Sequence, residues 1–198
     1  DGRLVDQTFL IPSDLHLETG SSGAIFGDYD NDGDEDLFLP VWPHNVLLRN
    51  DRGRFVRADA GSDLSDSLGT ENAIWLDYDR DGYLDLYVSS TAASENYAPR
   101  ANRLLGNNGD GTFTDQTAAA GLDILVHPES GGSTGGMTAG DFNGDGWPDL
   151  YIGVFRHANR LFLSDGQGRF VDATTDETGD VGEAFTLTVG DINNDGQL

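Results

Sequence analysis

Cysteine and lysine are both absent from the 198 residues, and methionine occurs once. Without cysteine there is no disulfide, no thiolate metal site and no cysteine nucleophile, and the redox compartment stays open. Without lysine, Schiff-base and lysine general-base chemistry are excluded. Positive charge is scarce: all 11 basic side chains are arginine, against 35 acidic ones, giving a net charge of −24. Nucleic acid is therefore excluded as a partner, because neutralising phosphates needs clustered Lys and Arg. No apolar run approaches the roughly 18–20 residues of a membrane span. A sustained 3.6-residue apolar period is missing too, so helix is expected to be a minor component. No leader precedes Asp1, which predicts a processed chain or a fragment of a longer one.

Aspartate and glycine are abundant, with 28 Asp against 7 Glu, and 27 Gly. A generic acidic surface would use Glu as freely as Asp. Short carboxylates and glycines together point to turns. Leu, Ile, Val and Phe make up about a quarter of the chain, above the rough 20% below which chains stay disordered, so a core is expected.

The aspartates recur in register. AIFGDYDNDGDEDLFLP from Ala24, AIWLDYDRDGYLDLYVS from Ala73, MTAGDFNGDGWPDLYIG from Met137 and LTVGDINNDGQL from Leu187 align with one another. A second element follows the first three: NVLLRNDRGRFVRADAG from Asn45, NRLLGNNGDGTFTDQTAAAG from Asn102 and NRLFLSDGQGRFVDATTDETG from Asn159. Each unit of about 50 residues reads as four short strands with a Gly-containing turn between the last two, the pattern of a propeller blade. The predicted fold is all-β, with propeller blades at 21–62, 70–121 and 134–175. An outer strand of a preceding blade is expected at 1–12, and the start of a following blade at 183–198. Three blades leave two open faces, to be covered by the rest of a longer propeller or by a neighbouring chain joined head to tail.

The loop between the first two strands has the spacing D-x-[DN]-x-D-G-x-x-D. Asp28, Asp30, Asp32 and Asp36 fill positions 1, 3, 5 and 9 of the first loop, and Asp77, Asp79, Asp81 and Asp85 those of the second. The third has Asp141, Asn143, Asp145 and Asp149; the fourth has Asp191, Asn193 and Asp195. Alternate short carboxylates in a tight turn aim at one centre and suit a hard divalent ion with six to eight oxygen ligands. Position 7 (Asp34, Tyr83, Trp147, Gln197) would add a backbone carbonyl, and its varied side chains predict a role for the backbone alone. Gly33, Gly82, Gly146 and Gly196 at position 6 fit a sharp turn. The expected cofactor is Ca²⁺, at about four sites; the absence of nearby His or Cys disfavours zinc and copper, and magnesium prefers fewer carboxylates. Position 12 is Leu39, Val88 or Ile152 rather than a bidentate Glu, so these are not EF-hands. Each ligand set is local, so Asp79→Ala is expected to weaken one site and spare its neighbours.

These residues resemble FG-GAP/VCBS-type repeats, the group that includes the integrin α-subunit propeller. The motifs carrying the resemblance are AGDFNGDGWPDLYIG, FGDYDNDGDEDLFLP and NRLLGNNGDGTFTDQTAAAGL. The integrin-style Gly-Ala-Pro element is missing and Phe-Gly occurs only at Phe26–Gly27, which places the likeness nearer the VCBS and cartilage acidic protein branch. The resemblance implies a calcium-bearing β-propeller, often seven-bladed, outside the cell or on its surface. It implies no particular ligand, since such propellers serve adhesion and enzyme scaffolding alike.

Catalytic patterns are few. Gly131–Gly135 fits G-x-S-x-G around Ser133, with His127 upstream, but lacks the strand–turn–helix context of a hydrolase elbow. His16, His44, His127 and His157 share no metal spacing. The expected function is a non-catalytic, calcium-stabilised module for adhesion, recognition or assembly. Two alternatives are the scaffold of a secreted carbohydrate-active enzyme and a subunit polymerising through split blades. A protein or glycan ligand is expected on the face opposite the calcium loops, where the 91–100 and 124–136 insertions fall and where Trp42, Pro43, His44 and Tyr97 are expected too.

Overall fold

The computed structural model describes residues 10–12, 15, 20–41, 44–58, 61, 64, 70–90, 102–123, 134–154, 157–181, 186–193, 195–196 and 198. Among these described residues, twelve strands form three four-stranded antiparallel sheets, each a meander of consecutive strands. The first holds β1 (Ile25–Gly27), β2 (Asp36–Leu39), β3 (Val46–Asp51) and β4 (Arg54–Arg57). The second holds β5 (Thr70–Leu76), β6 (Asp85–Ser90), β7 (Arg103–Asn107) and β8 (Phe113–Asp115). The third holds β9 (Thr134–Gly140), β10 (Asp149–Val154), β11 (Arg160–Ser164) and β12 (Phe170–Asp172). The chain is all-β, as its alternating apolar pattern predicts, and among the described residues no helix is long and apolar enough to cross a membrane.

Period-two alternation sorts the side chains onto two faces of each sheet. Along β2, Phe38 faces the second sheet while Leu37 and Leu39 face the opposite side. Along β6 and β7, Leu86, Val88 and Leu105 pack toward the first sheet, and Tyr87 and Leu104 toward the third. Sheets buried on both faces stack as successive blades, with the first strands β1, β5 and β9 side by side. Ile11 and Leu15 pack against Leu37, Val41, Val46 and Leu48 on the outer face of the first sheet, giving that face partial cover.

Close stacking requires small residues on the first strands. A Cβ on Gly27 would lie 2.7 Å from the Trp75 indole of the next blade. Gly27→Ala is therefore expected to cost about 1–3 kcal/mol by overpacking, read from urea denaturation. Thr134–Gly136, expected within an insertion, instead begin β9. Glycine there admits a neighbouring backbone, since a Cβ on Gly136 would lie 2.3 Å from the Leu187 nitrogen. Thr186–Gly190, expected to start a fourth blade, runs against β9 without forming a strand. Trp42, Pro43, His16, Tyr97, His127 and Ser133 lie outside the described residues.

Candidate metal centre

Each of the first three aspartate loops joins the first strand of a blade to its second, and all four fold as a cage of backbone-to-carboxylate bonds. The position 1 carboxylate accepts the position 6 glycine N–H in all four: Asp28 from Gly33 at 3.0 Å, Asp77 from Gly82 at 3.1 Å, Asp141 from Gly146 at 2.8 Å and Asp191 from Gly196 at 2.7 Å. Those glycines have φ of +93°, +92°, +89° and +86°, which favours the absence of a Cβ. Position 4 is left-handed as well, at Asn31, Arg80 and Gly144, a demand that its variable residue type conceals in the sequence.

Position 9 is the best-buried member. Asp36, Asp85 and Asp149 are 0%, 1% and 0% exposed. One oxygen of each accepts the N–H of position 2: Tyr29 at 3.2 Å, Tyr78 at 3.0 Å and Phe142 at 2.9 Å. The other accepts an N–H from the third strand: Asn50 at 2.7 Å, Asn107 at 2.8 Å and Ser164 at 2.8 Å. These third-strand residues were not singled out as part of the site. Their signal was a recurring Asn or Ser just ahead of each Gly turn.

The carboxylates converge. Oxygens of Asp28, Asp30 and Asp36 lie within 4.8 Å of one another, as do those of Asp77, Asp79 and Asp85. Position 5 stands apart from both trios: Asp32, Asp81 and Asp145 are exposed and accept the position 7 N–H at 2.9, 2.8 and 2.8 Å. In the fourth loop Asn193 donates to Asp195 at 2.9 Å, and Gln197 lies outside the described residues.

Position 7 does more than the expected backbone service. Asp34 accepts the Arg52 N–H at 3.0 Å, while the Tyr83 and Trp147 rings cover Gly109 and Gly166. These contacts pin each loop to the turn between the third and fourth strands, so both lie on one face of the sheet stack. Neither described histidine joins them. His44 is exposed between β2 and β3, and the His157 N–H donates to the Val154 carbonyl between β10 and β11.

The electrostatics are those of a concave anionic site. Burial raises the Asp85 carboxyl to about 7 against the pull of the Asn107 and Tyr78 N–H bonds, and the charges of Asp79 and Asp81 add to the rise. Burial likewise lifts Asp36 to about 6, with Asp30 and Asp32 contributing. Asp30, Asp79 and Asp149 are shifted upward for the same reasons, burial first and neighbouring carboxylates after it. One atom tests the fit to a cation directly. Asp77 Oδ1 is buried with no hydrogen-bond partner, on a carboxylate that is grouped with those of Asp79 and Asp85. A buried, unpaired carboxylate oxygen is costly unless something positive meets it.

A family profile described as FG-GAP-like repeat matches residues 91–152 and 141–198, together more than half of the chain. The chain belongs to the FG-GAP-like repeat family. Among curated relatives, this FG-GAP-like chain is 31% identical over 118 residues to cartilage acidic protein 1 of Xenopus tropicalis, and 32% identical over 117 residues to the Homo sapiens and Mus musculus proteins of that name. Each alignment covers 56% of this chain and 17% of the relative. A solved structure of an Agrocybe aegerita lectin recognising non-reducing terminal N-acetylglucosamine matches 75% of this chain and 37% of its own, at 21% identity and a TM-score of 0.45. That likeness is too distant to carry a functional argument.

Proposed function

We propose that this FG-GAP-like chain is a non-catalytic, calcium-stabilised segment of an extracellular β-propeller, serving adhesion, recognition or assembly. The observation that carries the calcium reading is the buried, partnerless Oδ1 of Asp77, whose carboxylate is grouped with those of Asp79 and Asp85. Ca²⁺ would be held by Asp28, Asp30, Asp32 and Asp36 in the first loop and by Asp77, Asp79, Asp81 and Asp85 in the second. Asp141, Asn143, Asp145 and Asp149 would serve the third, and Asp191, Asn193 and Asp195 the fourth, with position 7 carbonyls completing each set. The bound ion supplies charge balance: four would bring the net charge from −24 to about −16. Its work is structural, since the ligands of the first three loops lie in the turn joining two strands of one blade or at the start of the second strand. An all-oxygen, carboxylate-rich set selects calcium over softer metals.

An extracellular setting would supply calcium at the concentration that weak structural sites need. The similarity to cartilage acidic protein 1 supports the same placement. Equilibrium dialysis against calcium is expected to give three to four ions per chain, with Mg²⁺ competing weakly. A stoichiometry below one would overturn the reading.

A further inference from the structure

The first two loops are joined by a chain of hydrogen bonds that the third does not share. Asn107 stands at its centre, on β7 and 7% exposed. Its backbone N–H donates to Asp85 Oδ1 at 2.8 Å, holding position 9 of the second loop. Its side-chain Nδ2 reaches across to the first blade and donates to the Tyr29 carbonyl at 2.8 Å, and also to the Leu84 carbonyl at 3.0 Å. The Tyr29 N–H in turn donates to Asp36 Oδ2 at 3.2 Å, holding position 9 of the first loop. The two innermost carboxylates are thus linked through one residue's backbone and one asparagine. A second bridge runs over the surface, where Asn31 Nδ2 donates to the Gly82 carbonyl at 2.8 Å.

The third blade lacks this connection. Ser164 occupies the place of Asn107, keeps the backbone bond to Asp149 at 2.8 Å, and uses its hydroxyl to accept the Gly166 N–H at 3.2 Å. The third loop meets the second through the Arg80 guanidinium over the Trp147 ring at 5.2 Å, a contact that touches no position 9 carboxylate.

We infer that Asn107 is a positioning residue that couples cation binding at the first two loops, so that filling one raises the affinity of the other while the third loop fills independently. The inference rests on the calcium reading above. Occupying the second loop fixes Asp85; this fixes Asn107, whose amide then fixes the Tyr29 backbone that orients Asp36. Binding at one site removes part of the ordering cost at the other, which is positive coupling and is reciprocal.

The test is a Ca²⁺ titration of the full chain followed by NMR at the Gly33, Gly82 and Gly146 amides, each of which reports its own loop. Shifts at all three with calcium establish the calcium reading separately from the coupling. Where locality alone would have Asp79→Ala spare the neighbouring loops, the Asn107 link is expected to make it weaken the Gly33 transition about five- to tenfold, a coupling within the usual range, and change Gly146 less than twofold. In an Asn107→Ser background the effect of Asp79→Ala on Gly33 should fall to the small remainder that the Asn31–Gly82 bridge carries. Serine is what the third blade carries at the equivalent place, so the fold is retained, and calcium shifts at Gly82 verify that. Three results would overturn the coupling through Asn107. Asp79→Ala could leave Gly33 unmoved, could weaken Gly33 and Gly146 alike, or could act on Gly33 just as strongly in the Asn107→Ser background.

Discussion

Excess chelator is expected to lower the melting temperature by on the order of 15–40 °C, or to abolish the folded baseline, in differential scanning calorimetry. An ion bound only by the folded chain stabilises it by about 2.7 kcal/mol at a hundredfold excess over Kd. Three or four such ions sum to about 8–11 kcal/mol, comparable with the roughly 5–15 kcal/mol that holds a whole domain together. At this chain length each kcal/mol moves the midpoint by about 2–4 °C. The repulsion within the empty loops acts in the same direction, because Asp28, Asp30 and Asp36, and Asp77, Asp79 and Asp85, then face one another uncompensated. An unchanged melting temperature would rule out a structural ion.

The second large effect concerns Asp85, and its size depends on calcium. Asp85→Ala leaves the buried N–H groups of Tyr78 and Asn107 without their acceptor, at a cost of about 3–5 kcal/mol in calcium. Asp85→Asn is more informative, because it keeps an acceptor oxygen and removes the charge. With calcium it should be destabilised for want of a ligand; in chelator the loss should be much smaller, because removing the buried charge offsets the one N–H, of Tyr78 or Asn107, that then faces the amide nitrogen. The pH dependence follows the same logic. In the folded, metal-free chain the carboxyls of Asp85 and Asp36 sit near 7 and 6, above their unfolded values near 4. Between about pH 4 and 7 the folded state therefore binds more protons than the unfolded one, and stability falls as pH rises. In chelator, the melting temperature of the parent should climb from pH 8 to pH 5. Asp85→Asn should climb less. A parent curve that falls with acidification in chelator would contradict this.

Much of this was legible from residue pattern. The D-x-[DN]-x-D-G spacing sets a local geometry, because alternate residues of a tight turn share a side whatever surrounds them. Gly33 and Gly82 adopt the left-handed conformation that position 6 was expected to need. Strand alternation was equally plain, since Leu37 and Phe38 sort to opposite faces by a period of two alone. The side chains of position 7 misled. Their variety suggested that only the backbone mattered, yet Tyr83 and Trp147 cover Gly109 and Gly166, while Asp34 reaches the Arg52 N–H. Several chemically different side chains can seal the same turn, so the position shows no single residue type.

The sequence by itself determined the repeat, the all-β blades and the composition of each aspartate loop, because all of these arise within about 50 consecutive residues. Only the tertiary structure decided how deeply each carboxylate is buried, and hence that Asp36, Asp85 and Asp149 serve as backbone staples while Asp32, Asp81 and Asp145 remain at the surface. It alone also decided which loops touch. Asn107 lies 78 residues from Tyr29, and nothing in its neighbourhood along the chain marks it off from Asn50 or Ser164. The difference comes from stacking one sheet on the next, where the reach of an asparagine amide closes a gap that a serine hydroxyl leaves open.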